Sequence, residues 1–258
     1  MKNTIIISSL LLLATFTSCR KTIDIQVKEA DKKYVIEGVI TDRNEPATVR
    51  ISKSIGLNAA NEFPALSGAD VSIRDLDNNL QVQLVEQESG IYQSADLRGI
   101  PGHHYELTVN IEGQRFSAQS TMPAAVALDS VYINKGWMGT ELKGIYRDPG
   151  TSRNYYHYVV YRNGKREKGV MIGNDEAGDG QTVPKEMLAM NDTLLKPGDR
   201  IVAALECVDP AIYQYYYGLA MGADQSYSAP ANPKSNISGG ALGYFSAHTI
   251  STKELVLP

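Results

Sequence analysis

The strongest constraint on this chain is a period of two. From Tyr34 onward, short segments alternate apolar and polar residues and are cut by turn residues. The segments YVIEGVITD (34–42), ATVRISKS (47–54), DVSIRDLD (70–77), LQVQLVEQ (80–87), GIYQSA (90–95), YELTVNIE (105–112) and RFSAQSTM (115–122) all carry it. Alternation sends successive side chains to opposite faces of a strand, so each segment can bury one face and must find a facing layer. Asp77-Asn78-Asn79 and Glu112-Gly113-Gln114 read as tight hairpin turns. This density of short strands predicts a β-sandwich over residues 34–123, with Val71, Ile73, Val82, Leu84, Leu107, Val109 and Ile111 in its core.

The order of these signals resembles the prealbumin-like or carboxypeptidase-regulatory type of sandwich. Gly38-Val39-Ile40-Thr41-Asp42, Gly68-Ala69-Asp70-Val71, Gly90-Ile91-Tyr92 and Gly102 before Tyr105-Glu106-Leu107 carry the likeness. Such a sandwich implies a scaffold that presents other elements. Met122-Pro123-Ala124-Ala125 marks the expected domain boundary, and residues 127–258 read as a second β-rich domain. Its strands are expected at 128–134, 141–147, 155–162, 169–172, 200–208 and 244–257. One short helix is expected after Asp209. That residue suits an N-cap, Pro210 suits the first helical position, and Ile212, Tyr215 or Tyr216, Leu219 and Ala223 recur at helical spacing. The fold class is thus mainly β, two sandwich-like domains with a single helix.

Residues 1–18 read as a signal peptide, with Lys2 ahead of the apolar stretch TIIISSLLLLA (4–14). The small residue Ser18 before Cys19 resembles the bacterial lipobox. That resemblance implies cleavage before Cys19 and acylation of Cys19, palmitate being among the chains such cysteines take. Arg20 to Lys33 reads as a polar tether. The expected location is the outer membrane, lipid-anchored, with the periplasmic and surface faces both open. The other cysteine, Cys207, lies in an alternating segment and reads as a buried thiol. No apolar run approaches the ~20 residues of a spanning helix.

A formal net charge of −4 gives no electrostatic case for binding nucleic acid. Hydrolase, zinc-protease, P-loop and dinucleotide-binding motifs are missing from the sequence, and neither catalytic residues nor a cofactor are indicated. The best metal-like segment is DEAGDG (175–180) with Glu186 beyond it. Asp175, Asp179 and Glu186 stand near calcium-loop spacing, although Ala177 removes one ligand and Pro184 interrupts the loop. A solvated acidic turn is the competing reading. Adjacent His103 and His104 face opposite ways in a strand, so they do not share one ion.

Tyrosine is the unusual residue, with 15 copies. Alternation places Tyr155, His157 and Tyr161 on one face of a strand and Tyr156 and Tyr158 on the other. Tyr213, Tyr215, Tyr216 and Tyr217 crowd the helix, too many for one buried face. Packing with hydroxyls at the rim and a partner-binding surface are both open readings. Trp137, Tyr216, Tyr217 and Asn236 are the partner-binding candidates.

As a whole, the chain resembles the Bacteroidota lipoproteins grouped as domain of unknown function 4249. The resemblance rests on Tyr34-Val35-Ile36-Glu37-Gly38 after the lipobox and on Phe63-Pro64 with Ser67-Gly68-Ala69. It rests also on Asp148-Pro149-Gly150 before Asn154-Tyr155-Tyr156, and above all on Asn232-Pro233, Ser235-Asn236-Ile237 and 240–245 (GALGYF). Members commonly stand beside TonB-dependent outer-membrane receptors. The resemblance therefore implies a non-catalytic accessory role, in ligand capture or gating, with such a receptor as partner. A structural or adhesive envelope lipoprotein is the alternative, and an unrecognised hydrolase a more distant one.

Overall fold

A computed structural model describes residues 31–56, 62–94, 97–136, 139–150, 152–176, 178–190, 195–223 and 232–258. Cys19, the signal peptide and Trp137, singled out from the sequence, lie outside the described residues. Seven strands come first: β1 (Tyr34–Thr41), β2 (Ala47–Lys53), β3 (Asp70–Asp75), β4 (Leu80–Glu88), β5 (Ile91–Ser94), β6 (His104–Ile111) and β7 (Gln114–Thr121). They match the alternating segments closely. The hairpin turns form where expected, with Asn79, Glu112 and Gly113 at positive φ.

Then follow β8 (Leu128–Gly136), β9 (Gly139–Arg147), β10 (Tyr155–Arg162), β11 (Lys165–Arg166), β12 (Met171–Asn174), β13 (Thr182–Met190) and β14 (Arg200–Cys207). Helix α1 (Pro210–Ala223), β15 (Ile237–Ser238) and β16 (Leu242–Val256) complete the chain. The sequence does not announce β13, because Pro184 falls inside it. Proline cannot donate to a ladder and is confined to sheet edges. Here β13 is an edge strand, paired only with β9.

The strands form one long sheet in the order β11-β10-β14-β16-β1-β2-β5-β4-β3-β6-β7-β15, with β12 also paired to β10, and a separate sheet β13-β9-β8. Strand β4 joins two layers. Its first half pairs with β3 and its second half with β5, across an irregularity between Glu86 and Glu88. The layers enclose a first core that includes Ile36, Ile73, Leu107 and Val109. Of the residues expected there, Val82 is only half-buried and the other six are buried.

The structure differs from a clean division at residues 123 and 127. Strand β16 is long enough to serve both halves. Residues 242–248 run parallel to β1, and residues 249–256 run antiparallel to β14. Ile237, Ala241, Phe245 and Ala247 therefore complete the first core. Residues 32–258 form one compact unit. Gly243 sits where β16 meets β1, at φ +96°, and a Cβ there would lie 2.0 Å from the Ile36 carbonyl oxygen. Only glycine fits so close an approach.

The second core lies between β10-β14-β16 and the sheet β13-β9-β8. It contains Leu128, Leu142, Tyr146, Tyr156, Tyr158, Met187, Ile201, Leu205 and Cys207. Helix α1 covers the opposite face of β10 and β16 through Ile212, Tyr215 and Tyr216. Asp209 caps it as expected. Its Oδ1 accepts the amides of Ala211 and Ile212, both at 2.9 Å. Its Oδ2 accepts the Ser120 hydroxyl and the Thr121 amide, so the cap also ties α1 to β7.

Candidate functional site

Three groupings hold the chemistry-bearing side chains, and each follows from strand register. The first lies beneath α1. His157 of β10 is paired with Glu206 of β14, and Glu206 with Ile250 of β16. His248, two residues from Ile250, projects from the same face of the sheet. His157 Nδ1 lies 2.7 Å from Glu206 Oε2, and His248 Nε2 lies 3.9 Å from Glu206 Oε1. Ser246 Oγ is 2.9 Å from His248 Nδ1. The Tyr216 ring stacks on His157 at 3.9 Å between centroids and 13° between planes.

The electrostatics are one-sided. Burial alone pushes the Glu206 carboxyl up, but the neighbouring charge of His248 and the hydrogen bond from His157 outweigh it. Glu206 is held below the usual carboxylate range. Burial pushes His248 below its ordinary value against the pull of Glu206. The ionised Glu206 carboxylate accepts a hydrogen bond from His157 Nδ1–H, and His157 Nε2 is buried without a hydrogen-bond partner. The sequence reading placed His157 on this face with Tyr155. His248 reads from sequence as a surface or hydrogen-bonded histidine, and no local signal singles out Glu206, although both stand at alternating positions of expected strands.

The second grouping bears on the calcium reading. Asp148, Asp175 and Asp179 each bring one oxygen within 4.8 Å of the others. Asp175 and Asp179 border a polar cavity of about 550 Å³ whose wall includes Gly150, Ser152, Arg153 and Glu176. Glu186 does not join them. It is exposed on β13, with its backbone opposite Lys143. The third acid is instead Asp148, visible in the sequence as the start of Asp148-Pro149-Gly150.

A hard divalent cation takes about six to eight oxygens. Here Asp148 already accepts from the Tyr156 hydroxyl and the Gly180 amide, and Asp175 accepts from the Asn154 amide at 2.7 Å. The group acts as a stitch between two turns. His103 and His104 each have their own aspartate, Asp75 at 2.9 Å and Asp77 at 3.1 Å. Asp75 is pushed up by burial, but the bonds from His103 and from the Asn78 and Asp77 amides bring it below the ordinary range.

The third grouping is the outer face of α1. Tyr217 is 50% exposed, and its ring lies 6.4 Å from that of Tyr213. Its neighbour Tyr216 is buried between His157 and Tyr244, so it serves the core rather than an open surface. Asn236 is likewise committed inside the fold. Its Nδ2 donates to the carbonyls of Phe245 and Gln119, and its Oδ1 accepts the Phe245 amide at 3.0 Å. Of the partner-binding candidates among the described residues, Tyr217 alone presents a free aromatic face.

These features define a mainly β scaffold with two cores, a shared long strand and one packed helix. The chain belongs to the family described as domain of unknown function 4249, which matches residues 20–254. No curated protein matches the chain. The C-terminal family motif has a structural account. Asn236 clamps β16 to β7, the Ser235 hydroxyl donates to the Gly243 carbonyl at 2.7 Å, and Gly243 makes the close approach to β1.

Proposed function

We propose that the protein is an outer-membrane lipoprotein, anchored through acylated Cys19, that serves a TonB-dependent receptor as a non-catalytic accessory in ligand capture or gating. The observation that carries the reading is the outer face of α1, where Tyr217 stands half-exposed beside Tyr213 on a helix fixed to the sheet. Rigid, half-exposed aromatics are the anchors that protein interfaces favour. The leader ending at Ser18-Cys19 supports the membrane location, and palmitate among its acyl chains belongs to that part of the reading. Family resemblance supports the receptor as partner.

The test is co-purification of the tagged protein from gently solubilised native membranes, with mass spectrometry of what accompanies it. A near-stoichiometric TonB-dependent barrel, reduced by Tyr217→Ala, is the expected result. A clean lipoprotein without a barrel would transfer the reading to a structural or adhesive role.

A further inference from the structure

We infer that the open end of the second sandwich is a binding site for a soluble, single-tailed amphiphilic carboxylate. The groove lies where β8, the turn before β14 and the end of β16 meet, and it encloses about 500 Å³. That volume falls in the range of small-molecule sites. Its floor is Ile133, Leu195, Leu255 and Leu257, all half-buried and all packed against the second core. Strand β8 ends its three-stranded sheet, so no further strand covers this side among the described residues. The floor is thus core surface left open to solvent, with the half-exposed ring of Tyr132 beside it.

The rim supplies the sign of the ligand. Among the described residues, Lys135 and Lys196 are the charged side chains on the wall, which Pro258 also lines. Neither ammonium has a carboxylate within ion-pair distance among the described residues. Nearby cations behave differently: Lys143 pairs with Glu141 at 3.1 Å, and Arg200 pairs with Glu254 at 2.5 Å. Asp199, on the same turn as Lys196, takes its direct bonds from Asn163 Nδ2 at 2.8 Å and the Lys196 amide at 3.0 Å, and the Lys196 charge acts on it only at longer range. An apolar floor and two unpaired ammonium groups on flexible stems are complementary to an apolar tail with one anionic head. Lysines on an edge strand also discourage strand pairing, and that role alone would make no demand on the apolar floor.

The assay contains no receptor, so its outcome is separate from that of the accessory role. The full-length protein is placed in liposomes of neutral phospholipid and dialysed against radiolabelled octanoate, with empty liposomes as background. Saturable binding to one site is expected. Lys135→Gln with Lys196→Gln should weaken it about tenfold or more, the scale of a lost charge-assisted contact. Both lysines are exposed, so the melting temperature of the double variant should stay unchanged. Octyltrimethylammonium should show no saturable binding. Absence of saturable octanoate binding, equal binding by the double variant, or equal binding of the cationic probe would each overturn the site.

Discussion

The two cores hang on one strand, yet they are filled differently. The first packs mainly aliphatic side chains from alternating strands, with Phe116 and Phe245 among them. The second packs Tyr146, Tyr156 and Tyr158, with a 2.7 Å hydrogen bond between the Tyr146 and Tyr158 hydroxyls. On the opposite face of the same strands, beneath α1, lies the His157–Glu206–His248 group. In the first core the buried Tyr92 and Tyr105 hydroxyls are satisfied by nearby backbone groups, whereas in the second the polar side chains satisfy one another. Steric changes should therefore damage the first, and loss of a polar partner or a fall in pH should damage the second.

The largest expected effect is steric and falls where the first core borrows β16. Gly243→Ala puts a Cβ against the Ile36 carbonyl at positive φ. A loss of at least ~4 kcal/mol is expected, or no folded protein at all. Gly240→Ala is the control. Gly240 also has positive φ, but nothing lies within 4 Å of its Cβ position, so only the conformational cost of ~1–2 kcal/mol remains. Urea denaturation of both variants separates crowding from backbone strain. Equal losses would mean that β16 is not pinned to β1 at this point.

Glu206→Ala comes next. It leaves His157 buried without its hydrogen-bond partner and removes the carboxylate 3.9 Å from His248, for an expected loss of ~2–3 kcal/mol. The same group sets a pH dependence. His248 is depressed in the folded protein, so the unfolded chain binds more protons as pH falls. Its stabilising contribution is complete above the ordinary histidine value near 6.5 and declines below it. Glu206, also depressed, extends the decline below about 4.5. Urea midpoints between pH 7.5 and 5.5 should fall for the native protein and flatten for His248→Asn. An unchanged slope would show that His248 already carries its proton in the fold.

The same contrast decides what the sequence revealed. Strands β1 to β7 were legible because alternation with one buried face leaves a period that a single segment can show. Strand β13 was hidden by Pro184, which only its edge position tolerates. The merging of the two halves through β16 was hidden because pairing of residues 242–248 with 35–41 is a long-range choice that no local signal encodes. At the acidic site the spacing gave Asp175 and Asp179 but drew in Glu186. The true third member, Asp148, arrives from a different turn. Asn236 stood out in the motif, yet a clamp and a contact residue look alike until its bonds to Phe245 and Gln119 are seen.

Asp209→Ala tests the join between the helix and the first body. It removes the cap of α1 and the acceptor of the Ser120 hydroxyl together, with an expected loss of ~1–2 kcal/mol. Asp209→Asn should recover part of that loss, because an amide oxygen still caps. Recovery to the native level would mean that the charge of Asp209 contributes nothing to the join with β7. Cys207 offers a readout without mutation. Burial pushes its thiol up to about 11, so maleimide labelling at pH 8 should track global unfolding. Faster labelling than unfolding would reveal local opening of the second core.

The smallest expected effect on stability is at Tyr217, and its value lies in the comparison with Tyr216 one residue away. Tyr216 fills the space over His157 and against Tyr244, and burial drives its hydroxyl well above its ordinary value. Tyr216→Ala should cost ~3 kcal/mol, the scale of an aromatic removed from a core. Tyr217 points outward from the same turn and should tolerate alanine within about 0.5 kcal/mol. Its ring is therefore free to serve a partner, and the two variants separate folding from docking. If Tyr217→Ala melts like the native protein and the barrel still co-purifies in full, α1 is not the docking face. If it melts early, the exposed ring contributes to packing with Tyr213, and the polar core extends one residue further out along the helix.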